Sequence, residues 1–528
     1  MTAERPIFLR APFLRAPLPR LAGALLLAVG TAALLSGALA QEGLLRLRGD
    51  DRRPTTGSST ARAGQTSGPS PATSTSPDAR DATRLRPGER GPRRAQSRRS
   101  RQPTAAPVRS TIHAPVTSPN VAREIQPVQV GIPDPKTPAP RPRPKRPPEE
   151  DPYAPLGLRL GGVTVLPAIQ ESVGYDSNPN RDAGRHKGST VSRTDGEVQI
   201  KSDWSAHALT GLLRGSYSAY PDVKGADRPE GEGRLGLRLD VSRDTQINLE
   251  GRFALDTQRP GSPDLNAAVA ERPLVVTTGA AAGLTQRFNR LLVGLRGTVD
   301  RTVYEDAKLP NGTVLDQSDR DATQYGLRLR AGYELTPGVI PFVEALADTR
   351  VHDRAIDNAG FRRDSDGVGV RAGSTFEITR TLTGEASAGV QRRSYDDPRL
   401  KDLRGPLVEA ALVWSATPLT TVRLKAQTSV DETTIPYSSG ILTRTARLEV
   451  QHDLRRNLSV TGIVGVTEND YKGVPLEERT LTAGARLEYK LTRSVALRAS
   501  FTHERLKSST PGSDYSANTV LLGLRFNP

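Results

Sequence analysis

Tyr325-Gly326-Leu327-Arg328-Leu329-Arg330-Ala331-Gly332-Tyr333 decides how this chain folds. Successive side chains of an extended strand point to opposite faces. Tyr325, Leu327, Leu329, Ala331 and Tyr333 therefore share one face, and Gly326, Arg328, Arg330 and Gly332 share the other. The same alternation recurs from about Val163 to Phe526. Many strands that are apolar on one side and polar on the other, joined by alternately short and long connections, are the pattern of a transmembrane barrel with lipid outside and water inside.

The connections set the strand count. Short turns fall near residues 203–206, 242–245, 288–291, 336–339, 379–381, 416–419, 454–457 and 492–494. They share a loose pattern of an apolar residue, then Thr, Ser or Asp, then a basic residue or Pro. Phe376-Glu377-Ile378-Thr379-Arg380-Thr381-Leu382-Thr383 and Tyr489-Lys490-Leu491-Thr492-Arg493-Ser494-Val495-Ala496 are two copies. Polar loops centre on 176–189, 221–231, 258–273, 305–321, 351–364, 395–404, 431–440, 471–478 and 507–515. Eight turns and nine loops make an all-β, antiparallel barrel of about 18 strands over residues 151–528. An even count puts both chain ends on one side, the periplasmic side if short turns face the periplasm as in bacterial barrels.

Aromatic residues fall at the strand ends. Trp204, Phe288, Tyr333, Phe376, Trp414, Tyr489 and Phe526 lie near the short turns. Tyr175, Tyr217, Tyr220, Tyr304, Tyr325, Tyr395, Tyr437, Tyr471 and Tyr515 lie near the loops. This predicts two aromatic girdles at the membrane–water interfaces.

The formal charge of +16 is unevenly placed. Residues 41–150 carry 21 Lys and Arg against 10 Asp and Glu, whereas residues 151–528 carry 49 against 47. A basic tail beside a nearly neutral fold argues against nucleic acid as the partner. Residues 1–40 read as a signal peptide: Arg5, Arg10, Arg15 and Arg20, an apolar run from Leu21 to Leu35, then Ala38-Leu39-Ala40 as a small-x-small cleavage site. Residues 41–150 hold 19 of the 42 prolines and few large apolar groups, which predicts a disordered Pro/Ser/Arg-rich periplasmic segment. Such a tail is either a solvated spacer or a contact to peptidoglycan or polysaccharide. With no Cys there is no disulfide and no thiolate metal site.

The final strand, Val520-Leu521-Leu522-Gly523-Leu524-Arg525-Phe526, alternates apolar residues up to a near-terminal aromatic. It resembles the signal read by the outer-membrane barrel assembly machinery, with Phe526 as its aromatic and Asn527-Pro528 as a departure. The first strand and loop, Ile169-Gln170-Glu171-Ser172-Val173-Gly174-Tyr175-Asp176-Ser177-Asn178-Pro179, resemble the opening of the putative beta-barrel porin 2 family of Gram-negative bacteria. The likeness covers roughly residues 163–526. It implies an outer-membrane, porin-like barrel, contacting outer-membrane lipid and lipopolysaccharide. Some relatives look associated with exopolysaccharide secretion.

Candidate chemistry lies on the polar face. Arg238, Arg296, Arg328, Arg330, Arg371, Arg423, Arg447, Glu449, Arg486, Glu488 and Arg498 are expected to line the lumen. Each cation turned to lipid would cost about 2–4 kcal/mol at mid-membrane, so this face points inward. The charges either attract anions or pair across strands and stiffen the wall. The six histidines are scattered without metal-ligand spacing. Gly231-Glu232-Gly233-Arg234-Leu235-Gly236 has dinucleotide-loop spacing but opens a strand rather than a helix. No catalytic constellation, cofactor or metal is expected. The expected function is a porin-like channel for small polar or anionic solutes. The alternative is an exporter of an acidic exopolysaccharide.

Overall fold

The computed structural model describes residues 152–183, 186–265, 269–379 and 381–528. The expected signal peptide with Ala38 and Ala40, and the basic tail, lie outside the described residues. In chain order the strands are β1 (Leu158–Leu160), β2 (Val163–Asp176), β3 (Ser189–Ser202), β4 (Ala208–Ala219), β5 (Arg228–Asp240), β6 (Thr245–Thr257), β7 (Leu274–Phe288) and β8 (Leu291–Tyr304). Two short strands follow, β9 (Ala307–Lys308) and β10 (Val314–Leu315), then β11 (Ala322–Tyr333), β12 (Val339–His352), β13 (Ser365–Thr379), β14 (Leu382–Tyr395) and β15 (Leu403–Thr417). The chain ends with β16 (Thr420–Asp431), β17 (Gly440–Arg455), β18 (Leu458–Lys472), β19 (Leu476–Lys490), β20 (Val495–Ser508) and β21 (Tyr515–Phe526).

Eighteen of these, β2–β8 and β11–β21, form one antiparallel sheet in which each pairs with its neighbour in the chain. The sheet closes where β21 pairs with β2, from Ile169↔Phe526 to Asp176↔Thr519. β1 pairs with Val163–Val165 at the start of β2, so part of the overhang below Phe526 also finds partners. β9 and β10 make a separate hairpin inside the loop 305–321, which also carries a 3-10 turn at Ser318–Arg320. All eight predicted short turns and all nine loop positions occur at the expected places. One differs in size: β18 and β19 run further than their letters imply, so the loop near 471–478 is only Gly473, Val474 and Pro475.

The turns explain their own residue preferences. At Thr336-Pro337-Gly338-Val339 the Val339 N–H donates to the Thr336 carbonyl, with Gly338 at φ +98°. Pro at the second and Gly at the third position suit such a turn. Asn289 bends the Phe288–Leu291 turn at φ +56°, a region Asn tolerates better than most residues. Elsewhere a hydroxyl holds the corner. Ser242 Oγ accepts from the Asp244 and Thr245 amides, and Thr492 Oγ1 accepts from those of Ser494 and Val495. This is why Ser or Thr recurs there.

The faces divide as the alternation predicts. Tyr325, Leu327, Leu329 and Tyr333 are exposed on the outside, as are Val343, Val368, Val390, Val464 and Leu522. Arg296, Arg330, Arg371, Glu344 and Glu449 are buried on the inside. An apolar exterior on a closed sheet needs no water to satisfy its backbone. Both described ends sit at the short-turn end: Arg493 Nε donates to the Pro152 carbonyl, and the Asn527 amide donates to that of Ser494.

The closure seam has little room. A Cβ on Gly174 would fall 1.8 Å from the Val520 carbonyl oxygen. Gly174→Val is therefore expected to block pairing of β2 with β21. Unheated gel electrophoresis checks this: the compact folded band should be lost, and a full folded band would contradict the seam geometry.

Candidate functional site: the barrel lumen

Inward charges on neighbouring strands lie close enough to pair, and most do. Glu344 on β12 is fully buried and is a hub for three guanidiniums. Arg371 on β13 lies 2.6 Å away, Arg328 on β11 3.3 Å and Arg330 3.9 Å. Arg330 also forks onto Glu385 of β14 at 3.0 and 2.7 Å, and its guanidinium lies 3.4 Å from the Phe342 ring centroid. Arg371 reaches Glu409 of β15 as well. A second group sits beside it, with Arg296 to Glu250 at 3.2 Å and Arg252 bidentate on Asp300 at 2.7 and 2.5 Å. Gly279 makes room for that pair, because a Cβ there would lie 2.1 Å from Asp300 Oδ1.

The remaining predicted residues are also inward. Arg423 and Arg447 share Glu449, at 3.2 and 3.8 Å. Arg498 binds Glu488 at 2.5 Å and donates to Gln170 across the seam at 3.1 Å. Arg238 meets Asp240 at 3.2 Å near the turn end, where both are partly exposed. Arg486 lies on β19 between Thr461 and Ser500 of its neighbours. Cross-strand pairing is thus the main use of these charges. It follows physically, since removing one partner of a buried pair strands the other at a cost of about 3–5 kcal/mol.

One place departs from pairing. Arg296 and Arg328 are direct register partners on β8 and β11. Like charges placed opposite each other repel. Their carboxylates, Glu250 and Glu344, lie on opposite flanks of the pair. Arg328 is a quarter exposed, and Glu344 is its one ion-pair partner among the described residues. Arg328 also lines the lumen.

A loop crosses the mouth. Residues 258–273 leave β6 and return to β7, with 266–268 outside the described residues. Arg259 pairs with Glu478 of β19 at 3.3 Å, both almost wholly buried, and lies 5.3 Å from the Tyr515 ring centroid. Six strands (β5, β4, β3, β2, β21 and β20) separate β6 from β19 around the wall. Asp264 accepts from Thr433 Oγ1 at 2.6 Å and from the Thr434 amide at 3.0 Å, on the loop between β16 and β17. Beneath lies a chamber of about 430 Å³, bounded by Arg259 and Asp264 above and Arg296, Arg328 and Arg371 at mid-height. Eight guanidiniums and seven carboxylates line it.

Part of the outer girdle is missing from where the sequence put it. Tyr175, Tyr217 and Tyr325 face outward, but Tyr220, Tyr471 and Tyr515 are buried inside under the loops. Two of them meet arginines there: Arg228 lies 5.3 Å from the Tyr220 ring centroid and Arg259 5.3 Å from that of Tyr515. Arg228 and Arg272 both donate to the Pro179 carbonyl. Burial, with Arg228 and Arg181 nearby, pushes Arg272 well below the usual arginine range. Burial raises the Asp321 carboxyl to about 6, against the amide of Tyr304 that it accepts. His352 lies 3.2 Å from Asp364 and 3.6 Å from Glu432. Glu250, Glu344, Glu385 and Glu409, which anchor the arginines, were not singled out either. Alternation alone marks each of them as inward, but their pairing needs the register.

Similar solved structures are large barrels, each near one tenth identical. The ferric citrate transporter FecA matches with a TM-score of 0.35 at 10% identity, over 70% of this chain and 64% of its own. The siderophore receptor PiuA from Acinetobacter baumannii matches at 0.37 and 11%, over 70% and 82%. A BenF-like porin from Pseudomonas fluorescens Pf-5 matches at 0.36 and 10%, over 69% and 99%. The chain thus spans under two thirds of FecA and nearly all of the BenF-like porin. No curated protein matches the sequence. The family model described as Putative beta-barrel porin 2 matches residues 151–527, the whole strand region from before β1 to one residue past Phe526. Closed barrel, outward apolar belt and inward charge agree with that match: the chain belongs to the Putative beta-barrel porin 2 family, porin-like barrels of the outer membrane.

Proposed function

We propose that this barrel is a passive channel for small polar solutes with a preference for anions, narrowed at one mouth by the loop 258–273. The observation that carries this reading is the polar chamber beneath the loop, with the Arg296–Arg328 pair on its wall. A barrel of 16–18 strands is wide enough for an aqueous path. Paired charges keep the wall wet without a strong field, so solutes need shed little water. Arg328 supplies the local positive excess. In this reading the turns and both ends face the periplasm, the loops face outward, and no bond is made or broken.

An acidic-polysaccharide exporter gains nothing from these features, since a loop pinned to the opposite wall obstructs a polymer. The barrel assembly machinery remains the expected reader of Phe526, which is exposed at the turn end.

Planar-bilayer recording tests the channel. Deletion of residues 260–270 is expected to raise single-channel conductance. Equal conductance would remove the loop from the pathway, and no conductance from either protein would overturn the channel reading. Reversal potentials in a salt gradient test the anion preference. A unit charge about 7 Å from the ion path in water is worth about 0.6 kcal/mol, on the order of threefold in permeability ratio. Arg328→Glu should lower the anion-to-cation ratio by at least that much. Arg238→Glu, near the turn end, should change it less.

A further inference from the structure

Outward faces should be apolar at membrane depth and mixed in charge above it. One sector departs from even mixing. On β19 and β20 the outward series rises from Leu487 and Tyr489 through Leu481 and Phe501 to Arg479, Arg505 and Lys507. Parity fixes the direction: Leu481, Leu487, Leu497 and Phe501 are exposed, while Glu478, Thr480, Glu504 and Leu506 are buried inside.

Register gathers the cations. Arg479 is the direct partner of Lys507, and Leu481 that of Arg505. Across β18, Arg479 is the partner of Glu468, which is the partner of Arg444 on β17. A single row thus runs Arg444, Glu468, Arg479, Lys507, with Arg505 just below. Glu468 serves two of these arginines, at 3.8 Å from Arg444 and 3.3 Å from Arg479. Arg479 remains two-thirds exposed. Arg505 and Lys507 form no ion pair with any described residue. Other outward arginines at the loop end are matched more closely: Arg301 binds Asp353 at 2.6 Å and Arg392 binds Asp402 at 2.5 Å.

The height is informative. Tyr175, Val520 and Phe501 are register partners across β2, β21 and β20, and mark the upper edge of the apolar belt. Arg505 lies four residues further along β20, about 13 Å of strand and roughly 10 Å of height at a usual barrel tilt. That is headgroup level. Side chains of Arg and Lys lean along the wall and hold their charge at such an interface. Here they meet whatever lipid lies against Leu481 and Phe501.

We infer that Arg479, Arg505 and Lys507 form a lipid-facing site for a phosphorylated lipid headgroup in the leaflet at the loop end. The acyl chains lie on Leu481, Phe501 and Val464, and the phosphate takes charge-assisted hydrogen bonds from the guanidiniums and the ammonium. The site is on the outer wall, so it is independent of conduction through the lumen. It requires only that the loop end be the end that meets this lipid.

Native mass spectrometry of the detergent-purified full chain, titrated with bisphosphorylated lipid A and with its dephosphorylated form, tests this. Wild type should retain the phosphorylated lipid at least tenfold better than the dephosphorylated one. Arg479→Gln/Arg505→Gln/Lys507→Gln should lose that preference while keeping the folded band on an unheated gel. An Arg301→Gln/Arg392→Gln control should keep it. Retention of the phosphate preference by the triple variant would overturn the site, as would equal binding of the two lipids to wild type. Inorganic phosphate should not compete at millimolar concentration. Full competition would reduce the site to a free-anion site without a lipid role.

Discussion

Everything in this barrel follows from the pairing of β2 with β21. In hydrocarbon an unpaired backbone N–H or C=O has no water to turn to, and each costs several kcal/mol. An open sheet of 18 strands would carry two such edges; closing it removes both. The pairing from Ile169↔Phe526 to Asp176↔Thr519 does this, and β1 pairs with Val163–Val165 of the part that projects beyond. It also fixes which surface is inside. Once the ring is closed, residues of one parity see lipid and those of the other share a lumen. The near-neutral composition of residues 151–528 agrees with this, because charges crowded on the inner wall must largely cancel.

That cancellation is arranged in clusters rather than isolated pairs. Glu344 holds three arginines from two neighbouring strands, while Glu385 on β14 and Glu409 on β15 each take one of them from further round the wall. Such a lattice ties strands together sideways along the inner wall. The same lattice holds Arg328 more loosely, at Glu344 alone among the described residues and a quarter exposed. The loop 258–273 adds a second kind of order. It ties distant parts of the wall together with Arg259–Glu478 and Asp264–Thr433.

The architecture was legible because its signal is local and repeated. Alternation, turn chemistry and loop length each occur many times, and the eight turns and nine loops landed where the letters put them. The burial of Tyr515 was legible too but needs stricter parity. Tyr515 and buried Ala517 are odd-numbered, whereas exposed Val520, Leu522, Leu524 and Phe526 are even. Proximity to a loop was the wrong guide to its face. The path of 258–273 had no local signal. Its anchors, Thr433, Glu478 and Tyr515, belong to segments more than 160 residues away, and only the closed ring brings them opposite. The Arg296–Arg328 juxtaposition likewise depends on the register of β8 against β11, which the letters of the intervening loop 305–321 do not reveal.

Since the chain contains no cysteine, single cysteines can report on each face directly. Spin labels placed one at a time at positions 324–333, in the protein reconstituted in bilayers, measure collision with oxygen dissolved in lipid against a water-soluble nickel complex. Labels at 325, 327 and 329 should be oxygen-accessible and nickel-shielded. Those at 324, 328 and 330 should show low oxygen access. A two-residue period of this phase supports the assignment of lipid and lumen faces on which the whole account rests. Uniform accessibility, or the opposite phase, would contradict it.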